Sequence, residues 1–385
     1  MNNTAQQVLN AFTDHFPSQP RLFFSPGRIN LIGEHVDYND GYVMPAAIDK
    51  GVYYAVAPNG MDTINFYSVD FKESYSTPVN DIKKAEGWKN YVLSVVNEYI
   101  ILGRKLKGFD CVMGGDIPVG AGMSSSAAVE GGLAYALNEI FGHGLNRVEL
   151  ALLCQRAEHN FPGVNCGIMD QFANMMGKKE QVLLLDCKSL EHEYLPLQLG
   201  EHKLVLMNTK VDHTLASGEY NIRRKQCEEG LRIMGELMGI RSFRDIRNSE
   251  DLLASKSLMG DLVYDRCRYV VEEIQRTRTA AEYLKQNDLT AFGKLMYATH
   301  EGLSALYGVS CDELDFLVQQ AKGNAAVIGS RMMGGGFGGC TINIIRSSAV
   351  DDFIIAATVT YNDRFGFKPE AYIVETSDGT GEMKS

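Results

Sequence analysis

The sequence lacks the features that mark membrane, secreted and zinc-binding proteins. Its 385 residues contain nothing near the ~20 uninterrupted apolar residues of a membrane span. The first 20 residues show no basic-then-apolar signal pattern. The cysteines form no Cys-x-x-Cys pair, so a zinc site or disulfide framework is not expected. They are Cys111, Cys154, Cys166, Cys187, Cys227, Cys267, Cys311 and Cys340. These absences predict a cytoplasmic protein with reduced thiols.

Positive charge is also scarce. The chain has 37 Lys and Arg against 48 Asp and Glu, a formal net charge of -11. Nucleic acids are therefore not expected as partners, because phosphate backbones are bound by clustered Lys and Arg. A nucleotide needs only a local pocket of amides and one metal ion, so it stays compatible with this charge.

Composition and length predict a globular chain of two domains. Hydrophobic residues make up 45% and charged residues 22%, which suits a packed core. At ~100–200 residues per domain, 385 residues suggest two units. We place them at residues 1–195 and 196–385, although no Pro/Ser-rich linker marks the boundary. Predicted helices and strands interleave without strict alternation, which favours the α+β class.

A glycine-rich loop stands between a predicted strand and a helix expected from Ser124 to Phe141. It runs from Pro118 to Ala128 and contains Gly120, Gly122 and three serines. Glycine lets the backbone approach a ligand, and the first amides of a helix attract anions. The loop is neither a Walker P-loop nor Gly-x-Gly-x-x-Gly. A phosphate site and a plain turn with a serine N-cap both fit this pattern.

A polar strip follows an apolar run near the N-terminus. Ile29, Leu31 and Ile32 are followed at once by Glu34, His35 and Asp37. Two carboxylates and an imidazole suit the vicinal hydroxyls of a sugar, because they accept and donate hydrogen bonds. A metal site and a solvated loop closed by an Asn-Asp-Gly turn are the alternatives.

Two further segments carry candidate residues. Glu158 lies near the end of a predicted helix, and Asp170 follows an apolar pair after a glycine-containing loop. A partly buried carboxylate needs a partner, although most isolated carboxylates are solvated. Near the C-terminus, five of the six positions from Gly334 to Gly339 are glycine, between two predicted strands. This pattern fits close backbone packing beside a ligand or a flexible hairpin.

Taken in order, the four motifs resemble those of the GHMP small-molecule kinases. The polar strip, together with residues 165–171 and 217–224, is similar to the galactokinases of that family, and the resemblance covers residues 24–340. It implies a two-domain α+β fold with the active site in the cleft between domains. It also implies that ATP and Mg²⁺ are used to phosphorylate the C1 hydroxyl of α-D-galactose, the first committed step of galactose catabolism. No nucleic acid, membrane or obligate protein partner is expected.

The resemblance also implies roles for individual residues. Asp170 would be the catalytic base, with Arg28 beside it. The sugar would be bound by Glu34, His35, Val36, Asp37, Gly167 and Tyr220. The nucleotide would contact Ser68 and the loop residues Gly120, Ala121, Gly122, Met123, Ser124, Ser125 and Ser126. Magnesium would be held by Ser126 and Glu158.

Three positions depart from the family pattern. Val36 replaces the usual Thr, Met123 the usual Leu, and Met333 the usual Thr. The last change removes a hydroxyl beside the C-terminal glycine-rich segment, which puts the support of the nucleotide loop in doubt.

Other functions stay open at this point. One is a related kinase for N-acetylgalactosamine or arabinose, and another is a non-catalytic galactose and ATP sensor on the same fold. A glycoside hydrolase would use a carboxylate pair but would leave the glycine-rich loop without a purpose.

Overall fold

The computed structural model describes residues 2–118, 120–211 and 216–383. Its α-helices are α1 (Asn3–His15), α2 (Trp88–Ile101), α3 (Ser125–Phe141), α4 (Arg147–Asn160), α5 (Met169–Met176), α6 (Ala216–Met238), α7 (Lys256–Lys285), α8 (Leu289–Gly302), α9 (Asp312–Lys322) and α10 (Val350–Phe365). Its strands are β1 (Arg21–Asn30), β2 (Tyr42–Val43), β3 (Pro45–Pro58), β4 (Thr63–Ser68), β5 (Glu73–Pro78), β6 (Phe109–Gly115), β7 (Gln181–Asp186), β8 (His192–Pro196), β9 (His202–Asn208), β10 (Val327–Met332), β11 (Cys340–Arg346), β12 (Glu370–Val374) and β13 (Gly381–Glu382).

The first sheet contains strand β1, which leads directly into the polar strip. Its order is β13-β1-β3-β6-β4-β5, antiparallel except where β4 meets β6. Strand β1 runs through Pro26 to Asn30, with a register shift between Pro26 and Arg28. Proline cannot donate to a ladder and is tolerated at such bulges. Arg28 and Asn30 therefore lie on a strand.

Two smaller sheets complete the architecture. One has the order β2-β7-β8, and the other has the order β10-β11-β9-β12. The chain then returns to the first sheet, where β13 pairs with β1 at Phe23 and Phe24. The division into two domains at residue 195 remains a prediction. Strand β13 comes from the C-terminal half of the chain but belongs to the sheet of the N-terminal half.

Helix α3 packs on the first sheet against β1 and β3, and helices α2 and α4 pack against α3. Their apolar residues form one large core with the strands, including Val92, Leu133 and Leu153, all fully buried. Helix α5, which the sequence pattern did not indicate, begins at Met169 and places Asp170 in its first turn. The core thus fixes the elements that carry Glu158 and Asp170.

The predicted fold class is confirmed. Helices are mixed with sheets that are largely antiparallel, as an α+β fold requires. The strand, glycine-rich turn, strand, helix and strand expected after Ala325 are all present. Within the described residues, no helix has both the length and the apolar character that crossing a bilayer requires.

Replacing the N-cap of α4 should destabilise the fold without touching the site. The Asn146 side chain accepts from the Glu149 amide at 3.0 Å, and Glu149 accepts from the Asn146 amide at 2.7 Å. Asn146→Ala should lower the unfolding free energy by about 1 kcal/mol, since such caps satisfy orphan amides. Chemical denaturation measures this as a lower midpoint with an unchanged slope. The exposed Asn10→Ala is the control, and equal midpoints for both variants would contradict the prediction.

Candidate active site

Two cavities meet at a shared wall. The first, of about 130 Å³, is lined by the polar strip and the segment around Asp170. The second, of about 240 Å³, is lined by the glycine-rich loop. Arg28, Asp170, Gly334 and Gly335 line both. The four motifs of the sequence therefore converge on one place.

Arg28 and Asp170 form the centre of this wall. The Arg28 Nε and Nη2 atoms donate to the two carboxylate oxygens of Asp170 at 2.7 and 3.0 Å. Arg28 Nη1 also donates to the Gly122 carbonyl at 2.5 Å. Burial opposes the charge on Arg28, but Asp170 and Glu34 outweigh it and raise its pKa. The pair places a fixed cation and a carboxylate between the two cavities.

The glycine-rich loop presents an unblocked helix N-terminus. Ser124 is the N-cap of α3 but makes no side-chain cap, since its hydroxyl donates to Asp170 at 2.5 Å. The alternative interpretation, a plain turn with a serine N-cap, is therefore wrong. The first amides of α3 have no side-chain cap, and the helix dipole adds positive potential there. Gly120 through Ser126, the predicted phosphate contacts, all line the second cavity.

The third glycine-rich segment closes against this loop. Gly334 and Gly122 both have left-handed backbones, with φ of 82° and 69°. A Cβ at Gly334 would lie 3.3 Å from the Gly122 carbonyl oxygen, closer than most side chains are found. Met333 and Met123 are buried in the same apolar cluster beneath the two loops. Apolar packing thus supports the loop at the position where the family's threonine is absent.

Glu34 is buried, and each of its carboxylate oxygens is bound by a different set of residues. One oxygen accepts from the Gly334 amide at 2.9 Å. The other accepts from Asn30 at 2.9 Å and lies 2.6 Å from Arg331. The carboxylate therefore connects β1 to the segment after β10, with only 1% of the residue exposed.

His35 is a neutral imidazole with a defined tautomer. Its Nε2 atom lies 3.1 Å from the Gly335 carbonyl, which only accepts, so Nε2 carries the proton. Nδ1 then accepts from the Tyr38 hydroxyl at 2.7 Å, and Tyr38 in turn contacts Tyr307 at 2.8 Å. Burial lowers the pKa of His35 to about 3. A proton acceptor role for this ring is therefore excluded while these contacts persist.

Asp37 and Gly167 are in contact across the first cavity. A Cβ at Gly167 would lie 2.0 Å from the Asp37 Oδ2 atom, so only glycine fits. Burial, then the charges of Asp170 and Glu34, raise the pKa of Asp37 to about 7. Tyr220 lines the same cavity, and its ring centroid lies 5.4 Å from that of His35. Predicted sugar contacts are thus brought together.

Glu158 lies at the junction with the phosphate loop. Burial, then the charge of Asp170, raise its pKa to about 7, while a hydrogen bond with Ser126 acts in the opposite direction. Gln171 donates to its Oε2 at 2.7 Å. No group of three or more His, Cys, Asp or Glu arranged to hold a metal occurs among the described residues. The donors fit a cation that takes few protein oxygens, as Mg²⁺ does.

Two predicted site residues lie away from these cavities. Val36 is fully buried in the main core, and its carbonyl accepts from Asn39 and Gly41. Ser68 is also fully buried, and its hydroxyl accepts from the Phe71 amide at 3.4 Å. Neither residue lines the first or second cavity. Val119, which lies within the glycine-rich loop, falls outside the described residues.

A third cavity was not anticipated from the sequence. It measures about 630 Å³ and adjoins the phosphate loop through Pro118, Ser125 and Ser126. Its other lining residues are largely apolar or aromatic and include Phe71, Trp88, Tyr91 and Met113. These four residues come from three separate segments, so no local pattern could have indicated them. Cys166, in the first cavity, was likewise missed.

Three family descriptions match successive parts of the chain. The GHMP kinases N terminal domain matches residues 90–178, and the GHMP kinases C terminal domain matches residues 280–357. The galactokinase galactose-binding signature matches residues 10–58. A crystal structure of Methanococcus jannaschii mevalonate kinase shares the fold, with a TM-score of 0.64, 19% identity and coverage of 94% and 99% of the two chains. Fold and site together define a GHMP kinase.

Relatives with higher sequence identity show which branch of the GHMP kinases this chain belongs to. Galactokinase from Clostridium acetobutylicum is 40% identical over 389 residues, covering 100% of this chain and 99% of its own. Galactokinase from Lactiplantibacillus plantarum is 41% identical over 378 residues, covering 97% and 98%. The crystal structure of Lactococcus lactis galactokinase complexed with galactose matches with a TM-score of 0.95, 34% identity and coverage of 98% and 99%. The chain belongs to the galactokinase family.

The raised pKa of Asp37 predicts a pH-dependent loss of stability. A carboxyl group whose pKa rises on folding stabilises the protein below its unfolded pKa, and this contribution is lost as pH rises through the folded value. For Asp37 that window runs from about 4 to about 7. In ligand-free protein, Asp37→Asn should match the parent near the lower pH and exceed it by roughly 1–3 kcal/mol above the upper one.

Denaturant titrations across this pH range measure the effect. The exposed Asp14→Asn is the matched control and should follow the parent curve. A difference between Asp37→Asn and the parent that does not change with pH would contradict the assignment.

Proposed function

We propose that this protein transfers the γ-phosphoryl group of ATP to the C1 hydroxyl of α-D-galactose, using Mg²⁺. One observation carries the proposal: a sugar-sized polar cavity and a phosphate-type loop share Arg28 and Asp170 as their common wall. The Lactococcus lactis relative, whose crystal structure contains galactose, shares the fold over nearly the full chain. A transferred group would pass between the cavities at this wall.

In the first cavity, we assign sugar binding to Glu34, His35, Asp37, Tyr220 and the Gly167 backbone. Carboxylates accept hydrogen bonds from hydroxyl groups, and both carboxylates line this cavity. The sugar hydroxyls would give Asp37 the hydrogen-bond donors that favour its ionised form. Sugar binding would therefore offset part of the free-energy cost of burying an ionised Asp37.

In the second cavity, we assign the triphosphate to the loop backbone and the N-terminus of α3. Phosphoryl transfer depends mainly on positioning and on neutralising charge. The loop amides and Arg28 provide fixed positive potential on either side of the transferred group. Asp170 would accept the hydroxyl proton late in the reaction, as a loose transition state permits.

We assign the metal to Ser126 and Glu158. Their hydroxyl and carboxylate oxygens are the donors that Mg²⁺ prefers, and phosphate oxygens and waters complete such shells. When bound, the ion would neutralise charge on the phosphates. Burial and the charge of Asp170 raise the pKa of Glu158, so a bound cation would favour its ionised form.

The third cavity suits the nucleoside. It is continuous with the phosphate loop through Ser125 and Ser126, and its aromatic and apolar walls would cover a purine ring. We therefore place the base near Trp88 and Tyr91. We further propose a cytoplasmic location, since all eight cysteines lie in the described residues and are free thiols.

Two alternatives remain testable. A related kinase for N-acetylgalactosamine or arabinose would use the same wall, so the choice of sugar separates it from a galactokinase. A non-catalytic sensor is disfavoured, because the groups proposed for transfer are all present around one wall.

A sugar panel tests the proposal. Coupled ADP-release assays with galactose, glucose, N-acetylgalactosamine and arabinose should show galactose with the highest kcat/KM. Chelating Mg²⁺ should abolish turnover, since the metal neutralises the phosphates. Higher kcat/KM for another sugar would establish a related kinase, and no ATP consumption with any sugar would refute the enzyme assignment.

Removing the proposed base should separate chemistry from binding. Asp170→Asn should lower kcat by roughly 10²–10⁴-fold while the galactose Kd stays within about threefold, since a base of this kind acts in the transition state. Steady-state kinetics and calorimetry give the two numbers. The control is Asp186→Asn, which removes another arginine-paired carboxylate, on β7, 2.8 Å from Arg244. Near-native turnover in Asp170→Asn would exclude it as the base.

A further inference from the structure

We propose that Arg331 is a positioning residue for sugar recognition, which acts by holding Glu34 charged and oriented at the edge of the first cavity. The inference rests on the proposed function, because it concerns the same sugar site. Arg331 itself lines neither the first nor the second cavity, so it acts through Glu34 rather than on the sugar.

Arg331 uses its guanidinium entirely inside the protein. It is fully buried at the end of β10. Its Nε donates to the Leu31 carbonyl at 2.9 Å and its Nη1 to the Met332 carbonyl at 2.6 Å. Its Nη2 donates to the Asn30 carbonyl and lies 2.6 Å from the Glu34 Oε2 atom. The side chain therefore joins the end of β1 to the end of β10.

These contacts fix Glu34 in one orientation. Its Oε2 atom is held by Arg331 and Asn30, and its Oε1 atom by the Gly334 amide. Each carboxylate oxygen accepts about two hydrogen bonds. The Oε1 atom therefore keeps acceptor capacity for a hydroxyl in the cavity that Glu34 lines. The planar guanidinium group of arginine fixes the orientation of Glu34 better than the ammonium group of a lysine would.

The charge of the buried Glu34 is the second reason to assign this role to Arg331. Taking a carboxylate out of water is costly unless a cation is paired with it. Glu34 is 1% exposed, and Arg331 is its ion-pair partner in the described part of the chain. Asp37 lines the same cavity without such a partner, and burial raises its pKa to about 7. Arg331 thus gives Glu34 the paired cation that a buried carboxylate requires.

The first experiment compares galactose and nucleotide binding in R331M. Methionine fills similar space but cannot pair with a carboxylate. We expect the galactose Kd to rise by at least about tenfold, since a buried charge loses its partner. The KM for ATP should stay within about threefold, because the hydrogen-bond partners of Arg331, namely Leu31, Met332 and Asn30, lie outside the glycine-rich loop. A galactose Kd within about twofold of the parent, or equal rises for both substrates, would overturn the proposal.

A matched control tests for mere loss of a structural arginine. Arg147 also clamps two backbone carbonyls, those of Met175 and Thr380, and lines neither the first nor the second cavity. R147M should leave the ratio of galactose Kd to ATP KM unchanged. If R147M shifts this ratio as R331M does, Arg331 has no special role.

A double-mutant cycle tests whether Arg331 acts through Glu34. A neutral glutamine needs no cation, so in the E34Q background R331M should raise the galactose Kd by less than about threefold. Equal effects in both backgrounds would overturn the proposal. Should R331M fail to fold, R331K takes its place, and an unchanged galactose Kd in R331K would also overturn it. A parent protein that binds no galactose would instead refute the proposed function.

Discussion

The bidentate pair between Arg28 and Asp170 is the interaction on which the site depends. It joins β1 of the first sheet to the first turn of α5, and it lies between the two cavities. Ser124 and the Gly122 carbonyl attach the glycine-rich loop to the same pair. The pair thus links the segments that carry the polar strip, Asp170 and the glycine-rich loop. The pair is mostly shielded from water, so its charges interact strongly.

Close approach of backbones makes this convergence possible. The phosphate loop meets the C-terminal glycine-rich segment at Gly122 and Gly334, and Gly167 abuts Asp37. Side chains at these contacts would force the segments apart. The free protein also holds Asp37 and Glu158 in surroundings that raise their pKa values. Perturbed carboxylates of this kind are typical of functional sites, and in the proposed function a sugar and a cation would become their partners.

Much of this arrangement could be predicted from the sequence, for physical reasons that also explain the omissions. Long periodic helices such as α3 and α4 were identifiable, but α5 has eight residues and no side-chain cap, so it leaves little pattern. Strands β5 and β8 are short, partly exposed edges. The family resemblance implied which side chains meet, whereas the third cavity is assembled from distant segments that no motif marks. The burial of Val36 and Ser68 depends on packing that no local motif encodes.

In the proposed function, the two cavities serve one reaction across the wall formed by Arg28 and Asp170. A crystal structure with galactose and a non-hydrolysable ATP analogue bound together tests this most directly. It should show the C1 hydroxyl within hydrogen-bond distance of Asp170, in line with the terminal phosphate beside Arg28. A sugar or a triphosphate bound away from this wall would contradict the account.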